Sequence, residues 1–302
     1  MKAAVLTNLL LLATVLIPVS LAVAALVARR IWDRRAKRRS PLTGKVFNQA
    51  GDGIRKAMEV HQDRFGESMA MLIAIGPMIL AAWLAERVTR VVPDWSQFRF
   101  GWGDALLLAV GLLGVAWAIM QLVTSAREIG KYRDGLAAEL AVAQSLTRLV
   151  GQDAFVFHDF PADKFNIDHI VVGRSAVFAV ETKSRRKPAA TGKASARVKY
   201  DGSRLTFPDH VETKPVEQAA YQAKWLQTFL ASGVGEPVRV VPVLSLPGWY
   251  VDGTSKRPDV LVTNCHNPNF MTSSAFGPSL SDEMLRRIAH VLAERYPGLP
   301  DA

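Results

Sequence analysis

The chain has 302 residues, of which 49% are hydrophobic, and it carries a formal net charge of +10 and a single cysteine. This apolar content excludes an intrinsically disordered chain, and the length is enough for about two domains. The one cysteine, Cys265, excludes an intramolecular disulfide framework and any zinc or iron–sulfur site built from several cysteines.

Three apolar segments lie before residue 125, and each meets or approaches the about 18–20 residues that a membrane-spanning helix needs. We predict a helix for each, because backbone amides in lipid must be satisfied within the segment. Pro77 lies inside the second and is expected to kink it. Residues 1–126 are therefore predicted to form a membrane anchor with helices at about 9–28, 69–85 and 105–123.

The first apolar segment has a second interpretation, a cleaved signal peptide, because Ala22-Val23-Ala24 resembles a cleavage site. Its apolar stretch is longer than the about 7–15 residues of a signal-peptide core, and a basic run follows it at 29–39. Both features favour an uncleaved anchor. The basic run itself has a topogenic interpretation, with contact to anionic lipid or nucleic acid as the alternative.

The charge of the loops predicts the orientation of the anchor. The loop 29–67 contains 11 Lys and Arg residues, whereas the loop 86–104 contains 3. Because positively charged loops stay on the cytoplasmic side, we expect the amino terminus outside and everything after the third helix in the cytoplasm. The predicted location is the cell (inner) membrane, with several membrane passes.

The second half of the chain, 127–302, shows the pattern of a soluble α/β domain. Apolar residues at helical or alternating spacing, with turn and capping residues between them, predict its elements. In order these are a helix at 137–150; strands at 154–160, 167–172 and 176–182; a small hairpin around Asp201-Gly202; a helix from Pro215 to about Ala231; strands at 238–246 and 260–263; and a terminal helix capped by Ser281 and ending near Tyr296. This order predicts a mixed sheet flanked by helices.

Three charged residues lie together on two of these strands: Asp168 is inside the strand 167–172, and Glu181 and Lys183 end the apolar run that begins at Ala176. Side chains alternate between the two faces of a strand, so Glu181 and Lys183 share a face. A hairpin loop of two or four residues places Asp168 on that face as well, whereas a loop of three reverses it. Paired carboxylates buried in a sheet need a cation, and oxygen ligands suit Mg²⁺. The alternative is a structural ion pair on a solvated face.

Four pieces of sequence around these residues resemble a known family. They are Gly135–Glu139, Asn166–Val172, Val177–Lys183 and Pro215–Gln218. Together they are similar to the PD-(D/E)xK nuclease superfamily and, more narrowly, to the nuclease-related domain called NERD, over residues 133–246. The resemblance implies an α/β restriction-endonuclease-like fold and a nuclease activity that depends on Mg²⁺ or Mn²⁺.

The resemblance also implies roles for five residues. Asp168 and Glu181 would hold the metal ion, and Glu139 would complete the acidic site directly or through water. Lys183 would orient or activate the attacking water, and Gln218 would position the site residues or a substrate phosphate. The chain departs from the family pattern in having Ala138 before the helix glutamate and a longer, basic segment after Lys183.

The basic segment contains Arg185, Arg186 and Lys187, which are candidates for contact with the phosphate backbone of DNA or RNA. The alternative is a solvated loop. His169 follows Asp168 but points to the opposite face by alternation, which indicates a structural role. His158, His266 and Cys265 form no catalytic or metal-binding spacing.

The sequence therefore supports three functional hypotheses. The first is a membrane-anchored, metal-dependent nuclease on the cytoplasmic side. The second is a membrane-tethered nucleic-acid-binding module whose site does not turn over. The third is a membrane scaffold in which the charged cluster is only an ion network.

Overall fold

The computed structural model describes residues 49–90, 99–188, 196–255 and 258–296. The first predicted membrane segment, 9–28, and the basic run at 29–39 lie outside these ranges. The chain divides into two compact units. One is built on Met58–Gly130, and the other on Lys131–Ala302 together with the residues that lead up to Ala57.

Two long helices contain the second and third predicted membrane segments. Helix α1 is Asp52–Arg90 and helix α2 is Trp102–Thr147. Both are long and apolar enough to cross a membrane. Many of their large apolar side chains are exposed, with Ile73 72% and Leu113 71% accessible. Exposed apolar surface of this extent marks a membrane or protein contact.

Within the first unit, α1 and α2 approach each other closely at a glycine. A Cβ added to Gly111 would lie 2.2 Å from the Cδ1 atom of Ile79. Small residues at such contacts let helix backbones pack tightly, which is common between helices in lipid. Near the start of α2, the Trp83 indole donates a 2.8 Å hydrogen bond to the buried carboxylate of Asp104.

The predicted helices at 105–123 and 137–150 are one continuous helix, α2, and the separation expected between them is wrong. The connecting residues 124–136 contain no proline. Their two glycines, Gly130 and Gly135, each cost only about 1 kcal/mol in a helix and do not end it. Charged residues return from Arg127 onward, so the later turns of α2 lie beyond its apolar part.

The described residues of the second unit form two sheets. The first is mixed, as predicted, with the order β1-β2-β3-β7-β9. Strands β1, β2 and β3 are antiparallel, and β3, β7 and β9 are parallel. Its strands are β1 (Phe155–Pro161), β2 (Asn166–Val172), β3 (Val177–Thr182), β7 (Val240–Ser245) and β9 (Leu261–Thr263).

The second sheet was not predicted from the sequence. It has the order β6-β5-β4-β8, and its strands are β4 (Arg197–Tyr200), β5 (Leu205–Thr206), β6 (Val211–Glu212) and β8 (Tyr250–Gly253). The hairpin around Asp201-Gly202 is confirmed as the β4–β5 pair, in which Tyr200 faces Leu205. Strands β6 and β8 were missed because two to four residues are too few to show an alternating pattern.

Helices cover both faces of the first sheet. On one face, helices α3 (Lys214–Val234) and α4 (Asp282–Glu294) share an apolar core with β2 and β3. On the other, Val142 and Leu146 of α2 pack against the sheet. Among its described residues, the unit also has short 3₁₀ turns at Val150–Gln152, Asn269–Thr272 and Ser274–Phe276. This is a mixed α/β sheet flanked by helices, as predicted, and the restriction-endonuclease-like fold implied by the resemblance stays a prediction.

The ends of α3 and α4 show how the sequence sets helix boundaries. The Ser281 hydroxyl accepts a hydrogen bond from the Met284 amide, as predicted for an N-cap. Helix α3 ends at Gly235, which has a left-handed φ of 82°, and not at the predicted Gly233. Gly233 instead permits close contact with α4, because a Cβ there would lie 2.6 Å from Val291 Cγ1.

Candidate active site

The hairpin of β2 and β3 places the two strand carboxylates opposite each other. Its register pairs His169 with Val180 and Val172 with Val177, which leaves a four-residue loop. Continuing the register by one residue sets Asp168 opposite Glu181. Asp168 Oδ2 accepts a 2.6 Å hydrogen bond from the Thr182 amide. The four-residue alternative is therefore the one that occurs, and the prediction of a shared face is confirmed.

Glu181 is the most enclosed acid of this site, with 2% of its surface exposed. The Lys183 Nζ atom lies 2.6 Å from its Oε1 atom. Gln218 at the start of α3 donates a 2.9 Å hydrogen bond to the same oxygen. Gln222, one turn further along α3, donates a 2.6 Å bond to Oε2. The structure thus brings Lys183 and Gln218 onto Glu181, and it adds Gln222.

Gln222 was missed in the sequence analysis, although a signal for it exists. It lies four residues after Gln218, so both side chains project from the same face of α3. The Gln222 side chain is almost fully buried, and its Oε1 atom has no hydrogen-bond partner. An unpaired buried amide oxygen beside a carboxylate costs free energy unless a further donor or a cation is present.

Glu139 reaches the acidic cluster from α2. Its side chain is 4% exposed, and its Oε1 atom accepts a 2.7 Å hydrogen bond from the Gly51 amide. Burial, with smaller contributions from the charges of Asp159 and Glu181, raises the pKa of Glu139 to about 7. Burial also raises the pKa of Asp168 well above its usual value, and the charges of Glu181 and Glu139 add to this effect. The carboxylates therefore interact electrostatically.

The donor set of this cluster is suited to a hard divalent cation. Asp168 and Glu181 offer carboxylate oxygens, and the repulsion among the acids would be relieved by a cation. Among the described residues, no group of three or more His, Cys, Asp or Glu side chains is arranged to hold one metal ion. Two carboxylates suffice for Mg²⁺, which keeps several of its waters. A direct metal contact by Glu139 stays a prediction, since its Oε1 atom bonds to Gly51.

The three basic residues after Lys183 differ in their partners. Arg185 forms a two-pronged ion pair with Glu212, with nitrogen–oxygen distances of 2.8 Å. Arg186 lies 2.5 Å from the Asp134 carboxylate and is 75% exposed. Lys187 is exposed. Lys187 is therefore the member of this group best placed to meet a solvent-borne anion, and Arg185 must exchange its acidic partner to do so.

A cavity of about 510 Å³ opens beside the cluster. It is lined by the cationic side chains of Lys183, Arg185 and Lys214, by Gln218, and by Val211, Glu212, Thr213 and Pro215. The first turn of α3 forms part of its wall, and the amides of a helix amino terminus favour anions. The cavity joins the site residues Lys183 and Gln218 to a basic surface.

His169, for which a structural role was predicted, is fully buried in the first sheet. His158 and His169 face each other on β1 and β2, and their Nδ1 atoms are 2.9 Å apart. Burial, followed by the charge of His158, lowers the pKa of His169 to about 3. Cys265 is buried, and burial raises the pKa of its thiol to about 11, so the reactive thiolate is suppressed.

Comparisons with known proteins give one finding. The family model described as NERD, nuclease-related domain, matches residues 134–247, which is less than half of the chain. No curated protein and no solved structure matches the chain. The matched residues contain all five predicted catalytic positions. The segment that holds the acidic cluster is thus similar to the NERD nuclease-related domain.

Proposed function

We propose that this protein is a membrane-anchored, divalent-metal-dependent nuclease that hydrolyses phosphodiester bonds of DNA or RNA on the cytoplasmic side. The observation that carries the proposal is the convergence of Asp168, Glu181 and Lys183. Their register sets the two carboxylates opposite each other, and the Lys183 amine lies 2.6 Å from Glu181. The match of this segment to a nuclease-related domain supports the same conclusion.

Each residue of the cluster has a role in this proposal. Asp168 and Glu181 would hold Mg²⁺ or Mn²⁺, which when bound lowers the pKa of water and offsets negative charge on phosphate. Lys183 orients the attacking water and adds positive charge beside the reacting phosphate. Gln218 and Gln222 hold the Glu181 carboxylate in place through one hydrogen bond to each oxygen. Glu139 contributes a further carboxyl group at the edge of the cluster.

A cleavage assay on the 302-residue chain in detergent micelles tests the proposal. Labelled single- and double-stranded DNA and RNA are incubated with Mg²⁺, with Mn²⁺ or with EDTA. Cleavage is expected with either metal and not with EDTA. Cleavage that persists in EDTA, or that is absent from every substrate, would contradict a metal-dependent nuclease.

The second candidate function is a non-catalytic nucleic-acid-binding module. One observation favours it: both oxygens of Glu181 already have partners within the chain, from Lys183, Gln218 and Gln222. This alternative predicts binding that weakens with salt, no turnover with either metal, and no effect of changing Lys183 on affinity. The assay above, combined with a binding titration, separates the two.

Lys187→Gln is expected to weaken nucleic-acid binding equally for all sequences. Because each phosphate contact releases counterions, the slope of log K against log salt should fall by about 0.7–0.9 for one lost contact. Fluorescence anisotropy at several salt concentrations measures this slope. Lys224→Gln, on the exposed side of α3, is the matched control and should leave the slope unchanged. An unchanged slope in Lys187→Gln would remove this residue from the interface.

The membrane part of the proposal rests on α1 and α2, which are long and apolar enough to span a bilayer, and on the loop charges. With the second unit in the cytoplasm, protease added to intact cells is expected to leave residues after 127 uncut. Protease added to inverted membrane vesicles should digest them. A fragment detected with antibody against the carboxyl-terminal region reports the result. Digestion in intact cells would overturn the orientation.

A further inference from the structure

The residues that lead into α1 belong to the same compact unit as the acidic cluster, although more than 75 residues separate them in sequence. Two of their backbone amides bond to buried carboxylates. Gly51 donates to Glu139 Oε1 at 2.7 Å, and Gly53 donates to Asp159 Oδ2 at 3.0 Å. Gly51 immediately precedes α1 and Gly53 lies in its first turn, so the amino-terminal end of this helix donates amides to two acids, the favourable arrangement for a helix amino terminus.

The local sequence is suited to this close approach. Gly51 has a left-handed φ of 80°, and a Cβ there would lie 2.1 Å from the Cδ1 atom of Leu136. A Cβ on Gly53 would lie 3.4 Å from Asp159 Oδ1. Leu136 and Glu139 are three residues apart on α2, so they face Gly51 together. Gly51 therefore cannot gain a side chain without a shift of Leu136, whereas a Cβ on Gly53 would make only van der Waals contact with Asp159.

Asp159 connects the same segment to the strand that bears Asp168. Its Oδ1 atom accepts a 2.7 Å hydrogen bond from the Asn166 side chain, and its backbone has a left-handed φ of 45°. Asn166 begins β2, two residues before Asp168. The backbone oxygen of Asn166 also accepts a 3.4 Å bond from Gln222. One chain of contacts thus runs from Gly53 through Asp159 to the acidic cluster.

We infer that Gly51, which immediately precedes α1, is a positioning residue for Glu139, so that the entry to this helix is part of the active site. This inference rests on the proposed nuclease function for its catalytic consequence. Glu139 lies within residues 134–247, the segment similar to NERD, whereas Gly51 precedes that segment. The site is therefore completed by a residue that precedes α1 and belongs to the same compact unit as the acidic cluster.

Amide hydrogen exchange on the 302-residue chain tests the contact without any need for activity. The Gly51 amide is expected to exchange slowly in the wild type and in Glu139→Gln, since a glutamine oxygen still accepts the bond. In Glu139→Ala it should exchange at least tenfold faster. Equal exchange rates in the wild type and Glu139→Ala would overturn the inference.

A double-mutant cycle in the cleavage assay tests the positioning role. Gly51→Ala should lower kcat about tenfold with little change in KM, because the binding cavity is not altered. In the Glu139→Gln background, Gly51→Ala should lower kcat less than twofold, because the side chain that it displaces is no longer a carboxylate. If Gly51→Ala lowers kcat by the same factor in both backgrounds, the role of Gly51 is merely structural and the inference is overturned.

Gly66→Ala is the matched control, because this glycine also lies in α1 and nothing is within 4 Å of an added Cβ. It should leave kcat unchanged. Failure of the proposed function and failure of this inference are distinguishable. A slow Gly51 amide in a protein that cleaves no substrate refutes the proposed function alone, whereas a fast amide in an active nuclease refutes the inference alone.

Discussion

Lys183→Ala is expected to lower kcat for nucleic-acid cleavage by about 10²–10³-fold, the usual cost of losing one group that stabilises charge in the transition state. Substrate affinity should change by less than about threefold, because Lys183 is one of several cations around the cavity. Single-turnover rates and anisotropy titrations separate these two quantities. If Lys183 only balanced the charge of Glu181, Lys183→Ala would lower the stability of the protein and leave turnover intact.

Asp168→Asn provides the second arm of this prediction. Asparagine keeps the volume of the side chain and an oxygen to accept the 2.6 Å bond from Thr182. It removes the negative charge that a divalent ion needs, so the rate should fall by a similar factor and the Mg²⁺ concentration for half-maximal activity should rise. Thermal unfolding of both variants checks that the fold is retained. Metal-dependent cleavage that survives both substitutions would refute the assigned roles.

Glu139→Gln is expected to stabilise the protein at alkaline pH in EDTA. Folding raises the pKa of Glu139 from 4.5 to about 7, mainly because the group is buried, so the folded state holds its proton more tightly by about 3 kcal/mol. The sign follows from linkage. This stabilisation is complete below about pH 4.5 and is lost as the pH rises through about 7. Glutamine does not ionise, and the variant avoids the loss.

The difference between the two proteins should therefore be small at pH 5 and approach about 3 kcal/mol at pH 8.5. Thermal unfolding in detergent across this range measures it. Added Mg²⁺ should narrow the difference by favouring the ionised carboxylate of the wild type. Glu217→Gln, at an exposed position of α3, is the control and should follow the wild type. A difference that does not vary with pH would place the Glu139 carboxyl in an environment other than the one described.

The core of the candidate site could be predicted from the sequence. Alternation along β2 and β3 placed Asp168 and Glu181 on one face for an even loop, and the loop has four residues. Lys183 follows Glu181 by two and shares its face. These relations depend on neighbouring residues, whose spacing repeats with the period of a strand. The catalytic and metal-binding roles that the family resemblance implies remain predictions.

The contacts that enclose the site could not be predicted from the sequence. The Arg185–Glu212 ion pair depends on the second sheet, whose shortest strands have no readable pattern. Arg185 was predicted as a candidate for contact with phosphate, with a solvated loop as the alternative, and the structure adds its ion pair with Glu212. Gln222 required knowledge of how α3 packs on the first sheet.

The sequence alone determined the second and third apolar helices, the strands of the first sheet in chain order, and the face shared by Glu181 and Lys183, since each follows from local spacing and hydropathy. Only the tertiary structure decided that α2 runs unbroken through the expected boundary and that Gly51 bonds to Glu139 across 88 positions. The physical reason is that sequence patterns report local relations, whereas these contacts join residues that are far apart in the chain. Periodicity records which side of an element a residue lies on, whereas the partner it meets there depends on the packing of distant segments.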